Sequence, residues 1–295
     1  LFSVLQSILD YIIHNGVEMK TVLITGTSSG IGEATAEFFL LRGWRVCATA
    51  RFPEKLGSWG QKNQVIRLAL DVTRQDSVRP AIAEAMQLAG KIDVVVNNAG
   101  VGLAGPLEAI RMEEIEEHFQ TNVFGAVRVI QEVLPFFRTQ KHGVIVNISS
   151  VAGMFGIPFL SPYCAGKFAM EGLSESLYYE LLPFNIRIKL VEPGGIKTRF
   201  KQIFAQHDAY HPDLHAVEAR VERSEGPDSS LPGPRSVAEV VFRAATDGTK
   251  RLRYPVQTQG ASLLHRLIPE PLWRFTLASS FGMARIHTPS GHRSD

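Results

Sequence analysis

Short apolar runs alternate with amphipathic stretches along most of this chain. Residues 21–24, 44–50, 65–70, 92–96, 143–148, 185–191 and 252–256 are short runs dominated by apolar or β-branched residues. That is the pattern of strands buried on both faces. Between them, residues 33–42, 76–88, 108–137, 161–182 and 236–245 carry apolar side chains at helical spacing. Asp76 is expected to cap the second of these helices and Pro135 to end the third. Strand and helix in alternation predict a single doubly wound α/β domain of the Rossmann type. Its parallel sheet would have about seven strands, with helices on both faces.

Three segments lie outside that alternation. Residues 1–18 carry Leu1, Leu5, Ile8 and Ile12 at helical intervals, a run too short to span a bilayer. They read as an N-terminal extension ahead of Met19, either translated from upstream or an accessory helix. Residues 199–235 are irregular and rich in polar residues and histidine, and read as an insertion over a site. Residues 257–295 hold an apolar segment, with Leu263, Leu267, Leu272 and Trp273 interrupted by Pro269 and Pro271, and then a tail read as disordered from 286. The apolar segment is expected to pack on the domain or on a partner subunit.

Composition narrows the class without naming it. At 45% hydrophobic and 20% charged, the 295 residues match an ordinary globular protein. A net charge of +2 is too mild to argue for nucleic acid or a membrane surface. Two cysteines, Cys47 and Cys164, are too few for a disulfide framework or a zinc site. They read as reduced thiols of a cytoplasmic protein, and no cluster with metal-ligand spacing is visible.

The chemistry concentrates at strand ends. After the first strand come Gly26, Thr27, Ser28, Ser29, Gly30, Ile31 and Gly32. A glycine-rich turn from strand to helix presents backbone N–H groups to a diphosphate. Gly26 to Gly30 also satisfy G-x-S-x-G, the turn that carries a hydrolase nucleophile. Its place on the first strand argues against that use, and His207, His211, His215 and His265 sit in no recognisable triad setting. The second strand ends in Arg51, with no acid between Trp44 and Pro53. A guanidinium there suits a ribose 2′-phosphate, where an acid would suit a free 2′-OH. Asp71 and Val72 close the third strand, where Asp71 serves either a turn or an adenine amino group. Asn98, Ala99 and Gly100 follow the fourth strand and let the backbone lie against a flat ring. His118 reads as structural, and Asn122 as a buried amide that needs a partner.

The centre of the pattern is residues 149–167. Tyr163 and Lys167 are four apart and share one helix face. A nearby ammonium favours the phenolate, so Lys167 is expected to lower the Tyr163 pKa toward the range useful in proton transfer. Ser150, at a strand exit, is placed to donate to the same substrate oxygen.

Taken in order, these residues resemble the short-chain dehydrogenase/reductase family over roughly residues 19–256. The matches are Thr25-Gly26-x-x-x-Gly30-Ile31-Gly32, Asp71, Asn97 to Gly100, Asn122, Ser150, Tyr163-x-x-x-Lys167 and Pro193-Gly194. The likeness is strongest to the branch of steroid and retinoid dehydrogenases and bacterial relatives. It implies an NADP(H)-dependent oxidoreductase interconverting a carbonyl and an alcohol. Tyr163 would be the general acid/base, Lys167 would tune it and hold the nicotinamide ribose, and Ser150 would orient the carbonyl. Asn122 would hold a relay water. Pro193, Gly194, Ile196 and Thr198 would surround the carboxamide. Family members commonly form dimers or tetramers through the helices that contain Asn122 and Tyr163. Phe155, Phe159, Phe200 and Phe204 point to an apolar substrate. One position departs from the family pattern: Gly166 stands where a serine usually precedes the lysine. That bears on a supporting hydrogen bond and not on the acid/base pair. The alternative is a nucleotide-sensing protein without turnover, against which the filled set Asn122, Ser150, Tyr163 and Lys167 argues.

Overall fold

Period-two side-chain alternation splits each apolar run between two layers. In β4 (Val94–Asn97), Val94 and Val96 join one core cluster while Val95 joins another. In β6 (Gly143–Ile148), Val144 and Val146 face the first and Ile145 the second. The structure, a computed structural model, describes residues 19–197, 202–204 (backbone), 231–258 and 260–281.

The main sheet has seven parallel strands in the order β3-β2-β1-β4-β6-β7-β9. Its other members are β1 (Thr21–Thr25), β2 (Arg45–Ala50), β3 (Val65–Ala69), β7 (Ile186–Pro193) and β9 (Arg253–Val256). On one face α1 (Gly30–Leu40) and α6 (Arg235–Thr246) bring Phe39, Val237 and Val241 to the core. On the other, α2 (Gln75–Ala89), α4 (Gly125–Gln140) and α5 (Ser161–Leu181) bring Ile82, Val133 and Leu181. This is the expected doubly wound Rossmann-type α/β domain. The strand order reverses between β1 and β4, and ligands of such sheets bind in the crevice at that switch point.

Several local expectations are corrected. Asp76 lies in the first turn of α2, not at its cap; Arg74 holds the cap position and pairs with Asp76 at 2.7 Å. Pro135 does not end α4, which runs on to Gln140. The long helical region divides into α3 (Met112–Phe119), a π-helical turn (Gln120–Phe124) and α4. A two-stranded parallel sheet, β5 (Gly102–Ala104) with β8 (Gln202–Phe204), was not visible in the pattern. Such three-residue strands carry too little periodicity to read.

The C-terminal segment forms α7 (Ala261–Leu267) and α8 (Glu270–Ser280). Trp273 packs edge-on to Phe155 at 4.7 Å and against His265 at 5.1 Å. Leu263, Leu267, Leu272 and Phe275 remain exposed, so only part of the apolar segment is packed in the chain itself. No helix among the described residues is long and apolar enough to cross a membrane. The expectations for residues 1–18 and 286–295, and most of 199–235, lie outside the described residues.

Candidate active site

A cavity of about 510 Å³ runs along the C-terminal strand ends, from Ser28 and Arg51 at one end to Ser150 and Tyr163 at the other. The catalytic and cofactor-binding residues expected from the sequence line it, with three exceptions. Gly32 stands behind the turn, Asn122 is not a lining residue, and Thr198 lies outside the described residues.

The glycine turn is held by its neighbours. The Thr25 hydroxyl accepts from the Asn98 and Ala99 N–H groups at 3.0 Å each. Asn98 Nδ2 donates to the Thr25 and Gly26 carbonyls at 2.8 and 3.1 Å. Gly26 adopts φ +71°, and a Cβ there would lie 2.9 Å from Ala99 Cα. A Cβ on Gly32 would lie 2.2 Å from the Gly26 carbonyl oxygen, so the turn closes only on glycine. Ser29 occupies the N-cap of α1 without a side-chain cap bond. The helix N-terminus therefore faces the cavity with backbone donors, as a diphosphate requires. Arg51 is exposed at the rim, with no ion pair among the described residues. Asp71 Oδ1 accepts from Thr73 N and Oγ1 at 2.9 and 2.7 Å, so it is a turn residue as well as a lining one. The backbone cradle and the cavity that extends from it to Ser150 and Tyr163 fit a nicotinamide dinucleotide.

At the other end, Ser150 follows β6 and caps a short 3₁₀ turn, its Oγ accepting from Ala152 N at 3.1 Å. Tyr163 sits in the first turn of α5, where Pro162 presets the helical φ. The Tyr163 and Ser150 hydroxyls are hydrogen-bonded. Lys167 is buried one turn on and donates Nζ to the Ile148 carbonyl at 2.9 Å. Burial pushes the Lys167 ammonium down to about 8.

The expected lowering of the Tyr163 pKa by Lys167 is corrected. Burial pushes the phenol up to about 12, opposed in part by the bond to Ser150. The ammonium is aimed at Ile148, lies 5.6 Å from the phenol ring centroid, and is itself weakened as a cation. Desolvation therefore outweighs attraction here.

Asn122, expected as a buried amide to need a partner, has one. Its Oδ1 accepts from Val101 N and its Nδ2 donates to Val101 O, both at 2.8 Å. The side chain is committed to pinning that loop, within a π-helical turn of the kind often found at functional sites. Phe155 does not line the cavity, because it is drawn into the cluster with His265 and Trp273; Phe159 does not line it either. Phe200 and the Phe204 side chain lie outside the described residues. Ile157, Leu160, Ile196 and Leu231 supply the apolar wall instead. Ser28 makes no hydrogen bond to a histidine among the described residues, and His207, His211 and His215 lie outside them.

Below the site is a charged cluster that local pattern does not reveal. Arg253 pairs with Glu171, and with Glu192 and Glu175 at 3.2 Å each. Glu192 is fully buried, and burial pushes its carboxyl up to about 7. The one sequence signal is that Tyr163, Lys167 and Glu171 recur every four residues on a single helix.

A dinucleotide cradle at the switch point, ending at a Ser–Tyr–Lys cluster, defines an α/β oxidoreductase architecture. The chain belongs to the short chain dehydrogenase family, whose model matches residues 20–209. It is 38% identical over 253 residues to the uncharacterised oxidoreductase YusZ of Bacillus subtilis, covering 80% of this chain and 89% of that one. It is 42% identical over 185 residues to 3-ketodihydrosphingosine reductase of Bacteroides thetaiotaomicron, covering 62% and 66%. It is 44% identical over 191 residues to retinol dehydrogenase 8 of Bos taurus, covering 62% and 61%. Among solved structures, a short-chain dehydrogenase of Streptomyces avermitilis superposes with TM-score 0.76 at 30% identity, covering 90% and 98%. ElxO with NADP bound gives 0.67 at 28%, covering 81% and 98%. A family member of Burkholderia phymatum in complex with NAD gives 0.72 at 26%, covering 84% and 92%.

Proposed function

We propose that this chain reduces an apolar ketone or aldehyde to an alcohol, with NADPH as hydride donor. The carrying observation is the half-buried Tyr163 phenol at the cavity wall, bonded to Ser150 and pushed up to about 12. A phenol with that pKa is a proton donor at neutral pH, which favours the reducing direction. When bound, NADPH would supply the hydride, and the chain's residues do the rest. Ser150 and Tyr163 donate to the carbonyl oxygen as its negative charge develops, and Tyr163 passes its proton to give the alcohol. Lys167 stands at neutral pH as the buried cation behind the phenol and holds the ribose. Because the Asn122 amide is committed to Val101, a relay water would meet this residue through its backbone carbonyl.

Arg51 supports NADP(H) over NAD(H), since no acid near it would repel a 2′-phosphate. The residues from Gly26 to Gly32 would hold the diphosphate, Asp71 and Val72 the adenine. Asn98 to Gly100, Pro193, Gly194, Ile196 and Thr198 would hold the nicotinamide. Two relatives are named for sphingoid and retinoid substrates, which fits the apolar wall of Ile157, Leu160 and Leu231. A homodimer or homotetramer is part of the proposal, supported by exposed Phe124 and Phe168 on the helical segments that hold Asn122 and Tyr163. A reducing compartment such as the cytoplasm fits Cys47 and Cys164, both buried thiols.

The test is NADPH oxidation at 340 nm with a panel of apolar ketones and aldehydes, for wild type and Tyr163→Phe. Turnover that falls about 10²- to 10⁴-fold in the variant is expected, with NADPH binding retained. Binding without turnover in the wild type would favour the nucleotide-sensing alternative.

A further inference from the structure

Gly166 is matched to His118. A Cβ on Gly166 would lie 2.9 Å from His118 Nε2 and 3.4 Å from its Cδ2. The imidazole therefore occupies the notch on α5 that a side chain at 166 would fill. It is 1% exposed, and its ring lies 5.7 Å from the Tyr163 ring, tilted by 59°. Asn122 Nδ2 approaches both ring nitrogens at 3.3 Å. Burial, and then the Lys167 charge, push the imidazole down to about 4, so it is neutral under working conditions. One neutral ring thus touches the Asn122 turn on one side and the Tyr163–Lys167 face of α5 on the other.

We propose that His118 is a positioning residue for the carbonyl chemistry, seated in the space Gly166 leaves open and fixing the Tyr163 ring against the Asn122 turn. The inference rests on the role proposed above for Tyr163. Asn122 donates one amide hydrogen to Val101 O. Nδ2 also lies 3.3 Å from each imidazole nitrogen, so the neutral ring can accept from it through whichever nitrogen carries no proton. Removing the ring takes away the contact beside the Asn122 amide, which keeps only its two bonds to Val101, and leaves Tyr163 unsupported on that side. Adding a side chain at 166 forces the ring to shift and disturbs the same contacts from the other direction. A misplacement of about 1 Å in a reacting group costs on the order of 10²-fold in rate. The pair should therefore be read in kcat more than in binding.

The test compares wild type, His118→Ala, His118→Leu, Gly166→Ala and the double variant His118→Ala/Gly166→Ala. Melting temperature and NADPH fluorescence titration first show that each protein folds and binds the nucleotide. His118→Leu keeps bulk while losing both nitrogens, and it decides the matter if His118→Ala does not fold. Each single variant is expected to lose roughly 10- to 100-fold in kcat. Substrate KM and NADPH Kd should stay within about threefold of wild type, a split that general loosening would not produce. The double variant should recover part of the Gly166→Ala loss in both kcat and melting temperature, since the added methyl enters vacated space; contacting residues couple in this way. Unchanged kcat in folded His118→Leu, or losses that simply multiply in the double variant, would overturn the assignment. Wild type without turnover that depends on Tyr163 would overturn both this inference and the reading beneath it.

Discussion

Lys167 donates Nζ to the carbonyl of Ile148 at 2.9 Å, so the ammonium that stands behind Tyr163 is tied to the end of the central strand β6. Burial lowers this lysine from 10.5 to about 8. Between those values the unfolded chain holds a proton that the folded chain has released, so stability rises with pH across that window. Tyr163 acts in the opposite sense and later. It is raised from 10.0 to about 12, and stability from it falls once the pH passes the lower value. The melting temperature of wild type relative to Lys167→Met should therefore rise as the pH goes from 8 toward 10.5. Parallel curves in that range would contradict the buried-cation account. Turnover should be lost in the variant at every pH.

Arg51→Ala should lose about 10- to 100-fold in kcat/KM with NADPH, the worth of a charge-assisted pair of roughly 1.5–3 kcal/mol. With NADH it should lose little. Exposure at the rim makes the effect sensitive to ionic strength, so the contrast should narrow at higher salt. Equal losses on both cofactors, or a wild-type preference for NADH, would remove Arg51 as the phosphate partner.

Glu192 is raised from 4.5 to about 7, so the stability it contributes is present at low pH and lost as the pH climbs through the upper value. Glu192→Gln keeps the shape and removes that charge. Its melting temperature relative to wild type should increase as the pH passes upward through about 7. A constant difference from pH 5 to pH 9 (approximate limits for the scan) would show that Glu192 stays ionised, paired with Arg253.

Trp273 and Phe155 join the C-terminal helices to the turn after Ser150. Trp273→Ala should weaken this attachment by about 3–5 kcal/mol, because the other large side chains of α7 and α8 are mostly exposed. Limited proteolysis should cut within residues 260–281 much faster in the variant, with the sheet left intact. Unchanged cleavage would mean that another surface holds these helices.

Much of this protein was legible in its sequence because the relevant signals are local. The strand–helix alternation, the glycine turn from Gly26 to Gly32, and the four-residue step from Tyr163 to Lys167 each span a few residues. Backbone geometry alone converts them into a doubly wound sheet, a phosphate cradle and a shared helix face. The boundaries were less legible. Pro135 continues α4 because one missing N–H is tolerated within a long packed helix, and the π-helical turn at Asn122 leaves no mark in apolar spacing.

What only the tertiary structure decided depends on residues far apart in the chain. The sign of the Tyr163 shift reverses because the fold desolvates the phenol and turns Lys167 toward Ile148, 19 residues away. Asn122 is spent on Val101, 21 residues back, and is not a lining residue of the cavity. Glu171 meets Arg253 across 82 residues, and His118 meets Gly166 only because α3 and α5 pack together. Local sequence sets which groups are present and which helix or strand carries them. Desolvation and pairing set how those groups behave, and both are properties of the space around an atom, which exists only once distant segments have closed on it.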